Sequence, residues 1–346
     1  MPRLTILGED PTAFTLRLAC ANIGLNSITQ ITAGYSPSVP ATILPANISK
    51  IISALIPEQE LKELSTQPDR KQIRLAKSGY VVSEIPLGKF YSDRYGANLY
   101  NITENDLIEL LNNHILPSPI SASAQHKTSV DLLAVTSNTS DQSTQTDQFY
   151  TYYAEMPYDK KGSLVNTTWI SQKQVAHQFN TNKSGHVVFL SPSNLALNPN
   201  DWHPTIREAA ESAKIKKSTS QKPNTKNQAF KQRSVVELGA AWYPSSWLLP
   251  ESVHVGIEDA WVLSRMLENY EDDIDSALSY YAKYRKIRLA RLRRQTDQEF
   301  TKRFDTEGIK KLGQHISLAF STRFIPEIYM NDQDWFHGYD CLRGFR

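Results

Sequence analysis

The first thirty or so residues restrict the fold more than any other stretch of the chain. Pro2 to Leu7 is a short apolar run, followed by the turn Gly8-Glu9-Asp10-Pro11. From Thr12 to Ile23 the apolar residues Phe14, Leu16, Leu18, Ala19 and Ile23 return at helical spacing, and Gly24 is a stop for that helix. Ser27 to Thr32 then offers a second strand. Strand, turn, helix and strand over about 30 residues make a βαβ unit, and such units build parallel sheets.

The rest of the chain alternates in the same way. Thr42 to Leu64 reads as a helical region around Ile48 to Ile52. Ile73 to Pro86 alternates as a hairpin with Ser78-Gly79 at its turn. Thr103 to Leu111 is a helix with Thr103 as its N-cap and Asp106 three residues on. Val130 to Val135 and Val235 to Leu238 are buried strand candidates, and Phe149 to Phe189 holds aromatic, strand-like stretches. Thr136 to Gln148 is polar and reads as a loop, as does the basic stretch near 214–230. Val253 to Tyr270 and Ile274 to Arg303 read as helices. Segments 1–72, 100–148 and 230–346 are expected to form a Rossmann-like α/β domain with a mostly parallel sheet and C-terminal helices. Segments 73–99 and 149–229 are expected to form a trimmed, antiparallel-sheet domain of substrate type.

Composition excludes several classes. At 346 residues the chain has length for two domains or one large one. Two cysteines, Cys20 and Cys341, support neither a disulfide scaffold nor a thiolate zinc cluster. The eight histidines show no H-x-H or H-E-x-x-H spacing, so no metal site is expected. A formal charge of +2 points to no polyanion, and the middle of the basic loop, Ser218 to Gln228, has no interleaved aromatic residues, so no nucleic-acid partner is expected. No apolar run approaches a membrane span and no signal peptide is evident, so a cytoplasmic location is the expectation. Lys283 to Arg294 holds seven Lys or Arg in twelve residues, which suits a surface helix or a peripheral contact with a membrane or a partner. There is neither a Walker loop nor a G-x-S-x-G elbow.

Two segments carry a resemblance. LTILGEDPTAFTLRLACANIGLNSITQI, from Leu4 to Ile31, and VVELGAAWYPSSWLLPESVHVGIEDAWVLSRMLE, from Val235 to Glu268, together resemble the FAD-dependent aromatic hydroxylases of the salicylate and ubiquinone-pathway type. The first corresponds to their dinucleotide fingerprint and the second to their later Gly-Asp motif with the helix that follows. ILPANISKIISAL (Ile43 to Leu55), ALSYYAKYRKIRLAR (Ala277 to Arg291) and WFHGYD (Trp335 to Asp340) add to the match. The resemblance implies an FAD site at Gly8, Asp10, Pro11 and Ala13 on one side. Gly239, Ala240, Pro244, Pro250 and Ser252 would face its other half. It further implies NAD(P)H as reductant and an aromatic substrate.

The flavin-handling positions depart from that pattern. In a G-x-G-x-x-G turn the second glycine lets backbone approach the pyrophosphate, and here Asp10 stands there, with Ala13 in place of the third. Like charges ~4 Å apart repel by about 4 kcal/mol at an effective dielectric of 20. As an N-cap, Asp10 would take the amides that a phosphate needs. Ser27 to Ala33 offers no acidic residue for a ribose, and the flavin-contacting arginine has become Glu104. The expected aspartate after Gly239 is Ala240, and Ala134 to Asn138 replaces the middle Gly-Asp motif. The glycine-rich loop reads Pro250-Glu251-Ser252. Glu258 and Asp259 read as residues at the start of a helix, suited to its positive end. Three readings follow: an active hydroxylase, a relative without flavin that binds a small aromatic ligand or a protein partner, or another α/β protein with a ligand at its strand ends.

Overall fold

Asp10 starts the first helix of the protein. In the computed structural model its backbone is extended (φ −85°, ψ 170°), its carboxylate accepts from the Ala13 amide, and Pro11 follows as the first helical residue. That is the capping chemistry a helix N-terminus selects. The same helix ends where Gly24 adopts a left-handed φ of 80°. The structure describes residues 3–25, 28–31, 40–115, 132–136, 149–158, 164–192, 194–216, 235–243, 252–271, 273–300 and 326–345.

In chain order the elements begin β1 (Leu4–Leu7), α1 (Pro11–Asn22), β2 (Ile28–Ile31), β3 (Ala41–Leu44), α2 (Ala46–Leu55) and α3 (Glu58–Leu64). They continue with β4 (Arg70–Leu75), β5 (Val81–Pro86), α4 (Gly88–Tyr95), β6 (Tyr100–Thr103), α5 (Glu104–Asn113) and β7 (Leu132–Val135). Next come β8 (Phe149–Met156), β9 (Val165–Ile170), β10 (Val175–Asn180), β11 (Gly185–Pro192), α6 (Pro204–Ser212), β12 (Lys214–Lys216) and β13 (Val235–Glu237). The chain closes with α7 (Ser252–Asn269), α8 (Ile274–Phe300), α9 (Pro326–Asn331) and α10 (Asp334–His337).

The strands form three sheets. The first has the order β13-β7-β1-β2, with every pair parallel. Its segments are those the βαβ pattern and the Val130 and Val235 runs predict. Leu4, Ile6, Leu132, Ala134 and Val236 lie buried in it, under α1, α5 and α7. The second has the order β12-β8-β11-β10-β9-β4-β5. It joins the 73–86 hairpin to the aromatic strands as expected, and all its pairs are antiparallel except β4 with β9, so it is mixed. One face, with Trp169, Val187 and Phe189, packs under α6 through Trp202 and Ile206. The opposite face, with Phe179, Val188 and Leu190, packs against Ala41 and Ile43 of β3. The third sheet is the antiparallel pair β3 and β6.

Three expectations are corrected. Ala41 to Leu44 is a strand, because β-branched Thr42 and Ile43 pair with β6, so the helical region starts at Ala46. Lys214 to Lys216 is an edge strand on β8, not part of a loop; the basic stretch from 217 to 234 and the polar stretch from 137 to 148 lie outside the described residues. The third concerns Glu258, Asp259 and the basic helix, and belongs to the site. At α5 the cap is as read: Thr103 accepts from the Asp106 amide at 3.0 Å and its hydroxyl donates to the Asp106 carboxylate at 2.6 Å.

Candidate functional site

Three strand ends meet at one edge of the parallel sheet. Gly8 follows β1, Thr136 follows β7, and Leu238-Gly239 follows β13. The Thr136 amide donates to Leu7 O at 3.1 Å and the Leu238 amide to Val135 O at 2.8 Å, which ties the three ends together. Crevices outside the carboxyl ends of parallel strands are where open α/β sheets hold ligands. Glycine is required at two of the ends. Gly8 has a φ of 150°, and a Cβ there would stand 2.0 Å from Thr136 Oγ1. Gly239 has a left-handed φ of 52°, and a Cβ there would stand 2.8 Å from the Cα of Gly256.

Asp10 is a buried charged group at this edge. It is 4% exposed, and its carboxylate accepts from the Ala13 amide at 2.9 Å. Burial pushes its carboxyl up to about 6; hydrogen bonds from the Ala13 amide, the Thr136 hydroxyl and the Thr12 amide and hydroxyl only partly offset this. An internal carboxylate therefore stands at the positive end of α1, where a ligand anion would otherwise be held.

Behind Asp10, α1 and α7 interlock. Gly256 of α7 faces Thr12 so closely that an added Cβ would lie 2.0 Å from Thr12 Oγ1 and 3.0 Å from Thr12 Cβ. Gly256→Ala is thus expected to destabilise by about 1–3 kcal/mol through overpacking. Thr12→Ala removes the nearer atoms, so the double variant should recover most of that loss. Denaturant unfolding of the four proteins in a double-mutant cycle measures the coupling, and strictly additive losses would contradict the contact.

A buried charge cluster supports the Gly239 turn from behind. Asp259 Oδ2 accepts from the Gly239 amide at 3.0 Å and from Trp242 Nε1 at 3.1 Å, while Oδ1 accepts from Arg285 Nε at 2.6 Å. Glu258 accepts from Arg285 Nη1 at 3.0 Å, Arg288 Nη2 at 2.8 Å and Asn47 Nδ2 at 2.9 Å. Burial alone would raise the Glu258 carboxyl, but the Arg288 and Arg285 charges outweigh it and hold it down at about 2. Burial would strip Arg285 of its proton, but Asp259 and Glu258 outweigh that and keep it charged. Arg288 extends the cluster to the tail: its Nη1 donates to Trp335 O at 2.9 Å, and its guanidinium lies 3.8 Å over the Tyr339 ring. Nearby, His254 Nε2 donates to Ile43 O at 2.8 Å, and burial holds the imidazole neutral by lowering it to about 4.

The sequence-predicted residues fall into three groups. Gly8 and Asp10 sit on the β1–α1 turn, Pro11 and Ala13 in the first turn of α1, and Gly239 and Ala240 on the turn after β13. Ser252 is the first residue of α7, while Pro244, Pro250 and Glu251 lie outside the described residues. Glu258 and Asp259 are not at a helix start. They are the seventh and eighth residues of α7, and they bind arginines rather than a helix end. Arg285 and Arg288, read as part of a surface face, are buried as their partners. The roles of Thr12, Gly256, Thr136 and Asn47 are not legible in the sequence, since contacts between residues so distant along the chain leave no local pattern. No cluster able to hold a metal occurs among the described residues.

A central β1–α1 turn in a parallel sheet, a large mixed sheet and C-terminal helices closing over the first layer define the fold of the FAD-dependent monooxygenases. The chain matches HpxO of Klebsiella pneumoniae, solved with FAD and uric acid, with a TM-score of 0.75 at 13% identity over 97% of each chain. It matches a salicylate hydroxylase substrate complex with a TM-score of 0.70 at 14% identity, over 98% of this chain and 96% of that one. For the p-nitrophenol 4-monooxygenase PnpA of Pseudomonas putida the values are 0.72 and 9%, over 97% and 98%. No family model matches the chain, and no curated protein matches it.

Proposed function

We propose that this protein keeps the flavin monooxygenase fold but has lost or weakened FAD binding, and acts as a non-catalytic binding or scaffold protein for a small aromatic ligand or a protein partner. The observation that carries the reading is Asp10. Its buried carboxylate already holds the Ala13 amide at the head of α1, so a diphosphate brought there would meet like charge and a used donor. A repulsion of about 4 kcal/mol corresponds to roughly three decades of affinity. Ala240 brings no carboxylate to the second turn, and β2 (ITQI) ends without an acid for a ribose. These residues do not fit FAD. Colourless purified protein is the corresponding expectation.

The alternative is an active FAD- and NAD(P)H-dependent hydroxylase of an aromatic or quinone-type substrate. Gly8, Gly239 and Gly256 favour it, since they keep backbone close at the sheet edge, and so does the likeness to a complex with FAD and uric acid. Isothermal titration with FAD separates the two. The unmodified protein is expected to show no micromolar binding, and Asp10→Gly at most weak binding, because Ala240 and the ribose position are unchanged. Any residual binding by the unmodified protein should tighten as pH falls through about 6, where Asp10 takes up its proton, whereas binding by Asp10→Gly should lack that step. Micromolar or tighter binding by the unmodified protein at neutral pH would return the hydroxylase to first place.

A further inference from the structure

α8 sorts its basic residues onto two faces. Arg285 and Arg288 point inward to Glu258 and Asp259, and Arg293 is half-buried with its guanidinium 5.6 Å from the Trp242 ring. The other four, Lys283, Lys286, Arg291 and Arg294, are exposed, and none is paired with a carboxylate among the described residues. At about 100° per residue, Lys283, Ile287, Arg291 and Arg294 fall with Tyr280 in one arc of about 80°, and Lys286 flanks it. Ile287 stands in the middle of this stripe and is 76% exposed, the highest value among the large apolar side chains that lie open. Tyr280, 47% exposed, lies at one end with its ring stacked on Tyr270. Nothing acidic interrupts the face: no Asp or Glu occurs between Ser276 and Thr296.

We propose that the outer face of α8 docks on an anionic phospholipid surface, with Lys283, Lys286, Arg291 and Arg294 at the headgroups and Ile287 inserted between them. The chemistry of the face selects this occupant. Four cations with no carboxylate partner among the described residues, spaced along about 17 Å of helix, match a plane of phosphates and carboxylates. A single aliphatic tip among them is an insertion point, whereas a protein interface needs a contiguous apolar core. Nucleic acid would engage the cations but offer Ile287 nothing. The contact is peripheral, because no helix among the described residues is long and apolar enough to cross a membrane. It is also independent of flavin, since the face lies on the side of α8 turned away from the Asp259 cluster.

Cosedimentation of the full chain with phosphatidylcholine vesicles, with and without phosphatidylserine, tests this. Binding is expected only where phosphatidylserine is present, and it should fall steeply as salt rises. At around fivefold per cation, the Lys283→Gln/Arg291→Gln protein should partition roughly thirtyfold more weakly. Ile287→Ser should weaken binding to the anionic vesicles at constant charge. All three substituted positions are exposed, so the variants should keep the far-ultraviolet spectrum and unfolding midpoint of the parent. Should the double variant not fold, Lys286→Gln with Arg294→Gln provides the same reading. Failure of the parent to bind anionic vesicles at low salt would overturn the proposal. So would binding that the charge variants leave unchanged, or capture by polyglutamate or duplex DNA in place of vesicles.

Discussion

Arg285→Met is expected to lower stability by about 3–5 kcal/mol, the usual penalty for leaving a buried carboxylate without its cation. The guanidinium is fully buried and serves Asp259 through Nε and Glu258 through Nη1. Arg288 still partners Glu258, so the deficit falls on Asp259. Since Asp259 holds the Gly239 amide, the loss should extend to the turn after β13. Arg285→Lys keeps the charge but has no fork to serve two carboxylates in fixed directions, so it should recover only part of the loss. Denaturant unfolding measures both variants. Hydrogen exchange at the Gly239 amide reports the turn, and unchanged protection there would show that Asp259 does not depend on Arg285.

Asp10→Asn should act in the opposite direction, and only above acidic pH. Asparagine caps a helix about as well as aspartate, so the exchange removes charge and keeps the cap. The folded carboxyl titrates at about 6 against an ordinary value of 3.8, so the folded state holds its proton more tightly than the unfolded chain does. Ionising Asp10 therefore drains stability as pH rises from about 4 through about 6, and the whole deficit is present at neutral pH. About two pKa units correspond to roughly 3 kcal/mol. The Asn variant should exceed the parent by about that much at pH 7.5 and match it near pH 4. A gain that does not change with pH would mean that the carboxylate is solvated rather than buried.

Much of the architecture was legible because it rests on short-range rules. The β1–α1 turn announces itself through Gly8, a capping aspartate and a proline at the first helical position, and Thr103 with Asp106 marks α5 in the same way. The hairpin was legible from Ser78-Gly79, where Gly79 takes a φ of 71°. The site was less legible. Arg285 lies on the buried stripe of α8 that also carries Ala277, Tyr281, Leu289 and Leu292, so the helical period places it inward. A cluster of seven basic residues in twelve hides that period, and charge pulls the reading toward the surface. Nothing local marks Glu258 and Asp259 as mid-helix partners of arginines, because those partners lie 26 to 30 residues further on. The Thr12–Gly256 contact has no sequence signature, since it joins residues separated by most of the chain.

The order of strands in the parallel sheet also governs when the protein can be made. β1 is an interior strand, flanked by β7 from residue 132 onward and β2 on the other side, while β13 beyond β7 arrives only at residue 235. Its helix α1 rests on α7, which begins at Ser252. At about 5–20 residues per second, roughly 10–50 s separate the emergence of β1 from the ribosome and that of its last supports. During that interval β2, α5 and β7 become available to β1 and α1, but α7 and β13, which complete their burial, do not. The first layer is therefore expected to reach its full burial late in translation, once α7 has emerged.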